Sequence, residues 1–208
     1  MPDQMQGKPV VAVFDFDRTL TDRHTFWRFL RRLIGGPRFT LVAISLIPTA
    51  VLLALRIIPL MAAREVMIRR CMTGINAERY RALGVLFAQQ DIPGWLNPEA
   101  LARLKWHQSQ GHRCLLVSNS ADVYLEPWGK TAGFDATSGS RFKERDGRLT
   151  GELDGPHCQA EEKVIRVRQI LGNPQDYVIH AYGDSEGDRN LLEMAEYPYY
   201  RSFAQPVQ

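Results

Sequence analysis

The segment Val10 to Thr21, VVAVFDFDRTLT, constrains the fold of this chain more than any other. Its apolar start suits a buried strand. Along an extended strand the side-chain period is two, so Asp15 and Asp17 project to one side while Phe14 and Phe16 face the other. One strand end thus presents paired acids. Such a pair suits phosphoryl transfer, in which one carboxylate attacks phosphorus and ligates a hard cation while its neighbour moves the proton. An acid pair in a solvated turn has the same spacing, so other residues must decide between the two.

Three further segments bear on the choice. Cys114 to Ser118 (CLLVS) reads as a second strand, followed by Asn119 and Ser120, with hydroxyls able to donate to a phosphoryl oxygen. Ala160 to Leu171 (AEEKVIRVRQIL) reads as a helix with Val164, Val167 and Leu171 on one apolar face and Lys163 beside it in the first turn. The helix dipole disfavours a cation there, so Lys163 is expected to have an anionic partner. Tyr177 to Tyr182 (YVIHAY) reads as a strand running into Gly183-Asp184-Ser185-Glu186-Gly187-Asp188, where two more carboxylates stand four residues apart.

These four segments resemble the signature motifs of the haloacid dehalogenase-like phosphohydrolases, in particular subfamily IB, the phosphoserine phosphatase-like branch. Ser118-Asn119-Ser120 with Tyr124 and Pro127, Asp146 to Gly151, and Gly155, Cys158 and Lys163 extend the resemblance almost continuously to Asp188. It implies that Asp15 is the nucleophile, forms an aspartyl-phosphate and ligates Mg²⁺. Asp17 would protonate the leaving alkoxide, deprotonate the water and offer its backbone carbonyl to the metal. Asp184 would complete the protein ligands, and Asp188 would orient them without touching the ion. Ser118 and Lys163 would hold the phosphoryl oxygens, with Asn119 beside them. An anionic nucleophile approaching an anionic group needs such cations to offset repulsion.

The chain has 208 residues, 45% hydrophobic and 24% charged, which suits one globular enzyme domain with an insert. Strands near Val10 to Asp15, Arg113 to Ser118 and Tyr177 to Gly183 alternate with helical patterns. The expected fold is α/β: a Rossmann-like three-layer core with a mainly parallel sheet and an inserted all-helical cap. Residues 1–20 and 98–208 would form the core and 21–97 the cap. Ligands would sit outside the carboxyl ends of the strands. Asp146-Gly147 signals a hairpin in a small β-excursion between Phe134 and Gly151. The tail aromatics Tyr197, Tyr199, Tyr200 and Phe203 suggest a closing edge strand. Cys71, Cys114 and Cys158 have no paired spacing and read as small buried hydrophobes. The opening MPDQMQGK lacks an apolar signal core, so a reducing, cytoplasmic setting is expected.

Between Arg23 and Arg81 eleven arginines face two acids, although the whole chain carries only +3. The cap is therefore basic and the remainder acidic. Within it, Phe39 to Leu55 is uncharged for seventeen residues between Arg38 and Arg56. A helical bilayer span takes about 17 to 25 residues. A single crossing is excluded because Asp15 and Ser118, on either side of the run, must reach one site. Pro48 would divide the run into two short limbs. Two readings remain: a hairpin buried inside a soluble cap, or a cap dipping into one leaflet with its arginines on the headgroups. The layout from Thr21 to Gly74 is similar to that of bacterial phosphatidylglycerophosphate phosphatases of the same branch.

Phosphoserine phosphatases typically carry a glutamate nine residues after the nucleophile to meet the substrate ammonium; here that position is His24, next to Arg23. Such a rim favours a substrate with extra negative charge, and His24 joins the substrate-binding candidates. The expected activity is hydrolysis of an anionic phosphomonoester, a phospholipid headgroup phosphate among them, with peripheral membrane contact through the cap at the inner face of the membrane. The alternatives are a phosphatase of small soluble metabolites and a catalytically silent lipid-binding module. No nucleic-acid reading motif accompanies the arginines.

Overall fold

The computed structural model describes residues 7–203, save the side chains of residues 60 and 61. The reading of the opening segment rests mostly on residues 1–6, which lie outside the described residues, as do 204–208 of the tail. Five parallel strands, β1 (Val10–Phe14), β2 (Arg113–Ala121), β3 (Ala136–Ser140), β6 (Val178–Gly183) and β7 (Tyr197–Tyr200), form one sheet in the order β3-β2-β1-β6-β7. β1 lies at its centre, and the aromatic tail supplies the edge strand.

Alternation along β1 divides the core in two. Ala12 and Phe14 join the cluster that includes Ala100 and Leu104 of α6 (Pro98–Ser109) and Tyr124, Leu125 and Trp128 of α7 (Asp122–Ala132). Val11 and Val13 face Val167 and Leu171 of α8 (Glu161–Leu171) and Leu191 of α9 (Arg189–Met194). A strand covered on both faces has to be apolar at every position, as β1 is. All three cysteines are free and buried.

β4 (Phe142–Arg145) and β5 (Arg148–Leu153) pair antiparallel. Asp146 and Gly147 between them both have positive φ, 51° and 71°. That is the type I′ geometry matching the twist of a tight hairpin, and Gly147 adopts it without a Cβ clash.

Between β1 and α6 the chain builds five α-helices, α1 (Thr25–Ile34), α2 (Gly36–Ser45), α3 (Ile47–Ala54), α4 (Leu60–Met72) and α5 (Ala77–Gln90), and a short 3₁₀ turn at Ile92–Trp95. It leaves and returns at neighbouring points, where Thr21 and Leu96 form an antiparallel bridge. α1 buries Phe26, Phe29, Leu30, Leu33 and Ile34, the stripe its sequence period demands. The helical pattern between about Ala62 and Gln90 forms two helices, α4 and α5. Gly74, at φ 78°, breaks it, and Asn76 then caps α5 by accepting from the Arg79 N–H at 2.9 Å. The β4–β5 hairpin packs on this layer: Phe142 stacks on Phe26 at 6.2 Å, and the Leu149 N–H donates to the Ile75 carbonyl.

The apolar run forms α2 and α3, bent by 45° around Leu46, with Pro48 in the first turn of α3. No single helix among the described residues is long and apolar enough to cross a membrane. The buried-hairpin reading does not hold, because neither helix contains a buried residue. Phe39, Val42 and Leu46 lean against the core, while Leu41 and Leu55 are 68% and 65% exposed and Ile44, Ile47 and Val51 are exposed with them.

Candidate active site

The candidate residues gather at the carboxyl ends of β1, β2 and β6. Asp15 follows β1 directly, and its N–H donates to the Tyr182 carbonyl of β6 at 2.9 Å. Lys163, 2% exposed in the first turn of α8, ion-pairs with both Asp15 and Asp188. The anionic partner expected from its unfavourable place on the helix is thus a pair of carboxylates.

Asp188 anchors the loop after β6. One oxygen meets Lys163, and the other accepts from the Ser185 N–H at 3.0 Å, the Ser185 hydroxyl at 2.7 Å and the Asp184 N–H at 3.2 Å. Gly183 makes this possible, because a Cβ there would lie 2.5 Å from the Asp188 Cβ. Asp184 is buried and meets Arg18 at 3.5 Å. Carboxylate oxygens of Asp15, Asp184 and Asp188 all lie within 4.8 Å of one another.

Burial raises the Asp15 pKa to about 7, with Asp188 and Asp17 adding to the rise and Lys163 opposing it. Burial, then Asp188, raises Asp184 as well. Burial alone would lower Lys163, but Asp15 and Asp188 hold its ammonium above the ordinary value. Three acids against Lys163 and the exposed Arg18 leave surplus negative charge in a desolvated place. An all-oxygen donor set of that charge fits a hard divalent cation such as Mg²⁺.

Asp17 stands apart from this cluster. One of its oxygens accepts from the Thr25 N–H at 2.9 Å and the Thr25 hydroxyl at 2.7 Å, and the other from the Ser120 hydroxyl at 3.0 Å. The Thr25 hydroxyl also meets the Tyr124 hydroxyl at 3.1 Å. Burial raises the Asp17 pKa against these hydrogen bonds. Thr25 was missed by sequence reasoning; the one available signal was a threonine opening a helical pattern.

Ser118 is buried at the end of the β2 core, where its hydroxyl accepts from the Ser120 N–H at 3.3 Å. Asn119 is half-buried beside it. Its amide, oriented to satisfy both neighbours, donates to the Ser140 hydroxyl at 2.9 Å and accepts from Arg64 of α4 at 2.8 and 3.2 Å. Arg64 was not among the sequence candidates. His24 is exposed at the start of α1, near enough that its charge favours ionisation of Asp17 and Asp184.

Protein CicA of Caulobacter vibrioides is 33% identical over 205 residues, covering 98% of this chain and 90% of that one. A crystal structure of a Bordetella pertussis protein of unknown function superposes with a TM-score of 0.72 at 24% identity, covering 89% of this chain and 86% of that one. A phospho-aspartyl intermediate analogue of phosphoserine phosphatase gives 0.58 at 18% identity, covering 90% and 84%. At these identities the two structures establish a shared fold. Residues 12–193 match the haloacid dehalogenase-like hydrolase family, and the chain belongs to it.

Proposed function

We propose that the chain is a Mg²⁺-dependent phosphomonoester hydrolase working through an aspartyl-phosphate on Asp15. The observation that carries this reading is Lys163 held between Asp15 and Asp188, with Asp184 in the same cluster. Asp15 and Asp184, with the Asp17 backbone carbonyl, would hold the cation, which supplies charge neutralisation at the phosphoryl group. Asp188 fixes the loop and the lysine.

In the first step an Asp15 oxygen bonds to phosphorus as the ester P–O bond breaks, and Asp17 gives its proton to the leaving alkoxide. The raised pKa of Asp17 suits it to carry that proton. In the second step Asp17 takes a proton from water, whose oxygen attacks phosphorus, and phosphate leaves the regenerated Asp15 carboxylate. Lys163, the Ser118 hydroxyl and Asn119 hold the phosphoryl oxygens throughout. A solved phosphoserine phosphatase intermediate analogue with the same fold supports this sequence of steps. The test is turnover of p-nitrophenyl phosphate with and without Mg²⁺. Activity that needs the ion and disappears in Asp15→Asn is expected, whereas turnover indifferent to either would refute the mechanism.

Residues 21–97 serve in this reading as a cap over a core of 1–20 and 98–208. His24 at the rim and the arginines of the helical layer favour an anionic phosphomonoester, a phospholipid headgroup phosphate in particular. The exposed apolar residues of α2 and α3, flanked by Arg38 and Arg56, suit contact with an anionic leaflet at the inner face of the membrane. The protein is expected to sediment with anionic vesicles at low salt, and Leu41→Asp with Leu55→Asp to stay in the supernatant. Full solubility indifferent to vesicles would instead favour a soluble metabolite as substrate.

A further inference from the structure

Arg103, in the middle of α6, is 4% exposed, and among the described residues nothing accepts from its Nη1 or Nη2 in hydrogen-bonding geometry. Only its Nε is matched, donating to the Tyr182 hydroxyl at 2.6 Å. Aromatic faces surround the rest: the guanidinium carbon lies 4.0 Å from the Trp106 ring centre, 5.6 Å from that of Tyr199 and 5.9 Å from that of Tyr182. Such rings attract the charge but are weak acceptors for the N–H groups. Glu99 stands four residues earlier on the same helix, the spacing at which an ion pair forms readily. The two are nonetheless unpaired, and no carboxylate among the described residues lies within ion-pair distance of Arg103. Burying an arginine in this way is costly unless an anion meets it.

Arg103 lines a cleft of about 580 Å³ between α6 and the segment after β7, together with Glu99 and Trp106 of α6 and with Arg201 and Phe203 of that segment. The volume lies within the ordinary range for a small-molecule site, about 300–1,000 Å³. Arg201 is exposed and likewise has no carboxylate partner among the described residues. Its Nε donates to the Asp184 carbonyl at 2.8 Å and its backbone N–H to the Gly183 carbonyl at 2.9 Å, so the cleft borders the loop that carries a candidate metal ligand. Two guanidinium groups thus line one cleft against the single exposed carboxylate of Glu99. The balance of charge favours an anion.

We infer that this cleft binds a small organic anion, whose carboxylate or phosphate group lies between Arg103 and Arg201 and whose apolar body lies between Trp106 and Phe203. A guanidinium fork matches either oxyanion with two parallel hydrogen bonds. Arg103 is already ordered and desolvated, so little is lost in fixing it when the anion arrives. The site is separate from the proposed catalysis, because none of Asp15, Asp17, Ser118 and Lys163 lines it. It does not depend on the hydrolase reading.

The probes are benzoate and phenylphosphonate, which carry the two kinds of anionic group on one ring, with benzyl alcohol as the uncharged counterpart. Titration calorimetry on the full chain is expected to show binding of one or both anions and none of the alcohol, and whichever anion binds identifies the group. Trp106 fluorescence should respond to that anion, and the response should vanish in Trp106→Phe. Arg103→Met should weaken binding about tenfold or more, and Arg201→Gln by a smaller factor. Benzoate binding should be unchanged in Asp15→Asn. If Arg103→Met does not fold, Arg201→Gln, at an exposed position, still makes the comparison. Failure of both anions to bind, equal binding of the alcohol, or binding that the arginine substitutions leave unchanged overturns the proposal; phenylphosphonate held only at the catalytic cluster would give the last of these results.

Discussion

Lys163 sits where removal of its charge is least tolerable. Without the ammonium, Asp15 and Asp188 remain as two buried anions with Asp184 close by. Lys163→Met is expected to destabilise the fold by about 3–5 kcal/mol, the usual cost of breaking a buried pair by removing one partner. Urea unfolding checks this, and phosphatase turnover should fall to background in the same variant. Conversely, a divalent ion that relieves the surplus charge should raise the melting temperature. At about a hundredfold excess over its Kd the gain is about 2.7 kcal/mol. Asp184→Asn should abolish that rise, as differential scanning calorimetry with and without Mg²⁺ would show. The cluster of Asp15, Asp184, Asp188 and Lys163 was legible because each group belongs to a local pattern: a strand end, a glycine-flanked loop, a first helical turn. Thr25 and Arg64 were not legible. Their partners, Asp17 and Asn119, are chosen by how α1 and α4 lie over the sheet, which no local spacing encodes.

At the scale of elements, α5 and α7 touch through a glycine. A Cβ on Gly84 would lie 2.5 Å from the Val123 carbonyl oxygen, so the two helices approach as closely as backbones allow. Gly84→Ala should force them apart and cost about 1–3 kcal/mol, measurable as a lower urea midpoint. The same scale shows why strands and the hairpin were easier to read than the insertion. A continuous apolar run fixed β1, and Asp146-Gly147 fixed the turn, because both signals are confined to neighbouring residues. The break at Gly74 is hard to read from sequence because apolar residues continue at helical spacing on both sides of it. The apolar run from Phe39 to Leu55 was visible, but hydropathy says only that a residue favours a dry environment. Whether the fold supplies that environment depends on neighbours, and here α2 and α3 are left uncovered.

Across the whole molecule, a histidine group on the α6 side of the sheet ties stability to pH. His107 bonds to the Tyr182 hydroxyl at 2.8 Å and to His112 at 2.8 Å, and its ring packs edge-on against His180 at 4.9 Å. Burial, with Arg103 and neighbouring histidines, lowers His107 to about 3 and His180 to about 4, against 6.5 for an unperturbed histidine. As pH falls the unfolded chain takes up these protons first, so this contribution is whole above about 6.5 and is lost progressively toward the folded values. Asp15, raised to about 7, acts in the opposite direction, so the comparison must be differential. His107→Gln is expected to lose less stability than the unsubstituted protein between pH 6.5 and 4.5, read from thermal unfolding at each pH.

Tyr124 joins the sheet to the helices above it. Its ring meets Phe16 at 6.5 Å below, and Phe29 of α1 and Phe87 of α5 at 5.0 and 5.2 Å above, all within one continuous apolar cluster. Each such aromatic contact adds about 0.5–1.5 kcal/mol to the burial itself. Raising α1 and α5 like a hinged roof would split that seam and wet every ring in it. α2 and α3, with nothing buried, can shift at little cost. These two helices can be displaced while the rings around Tyr124 stay dry.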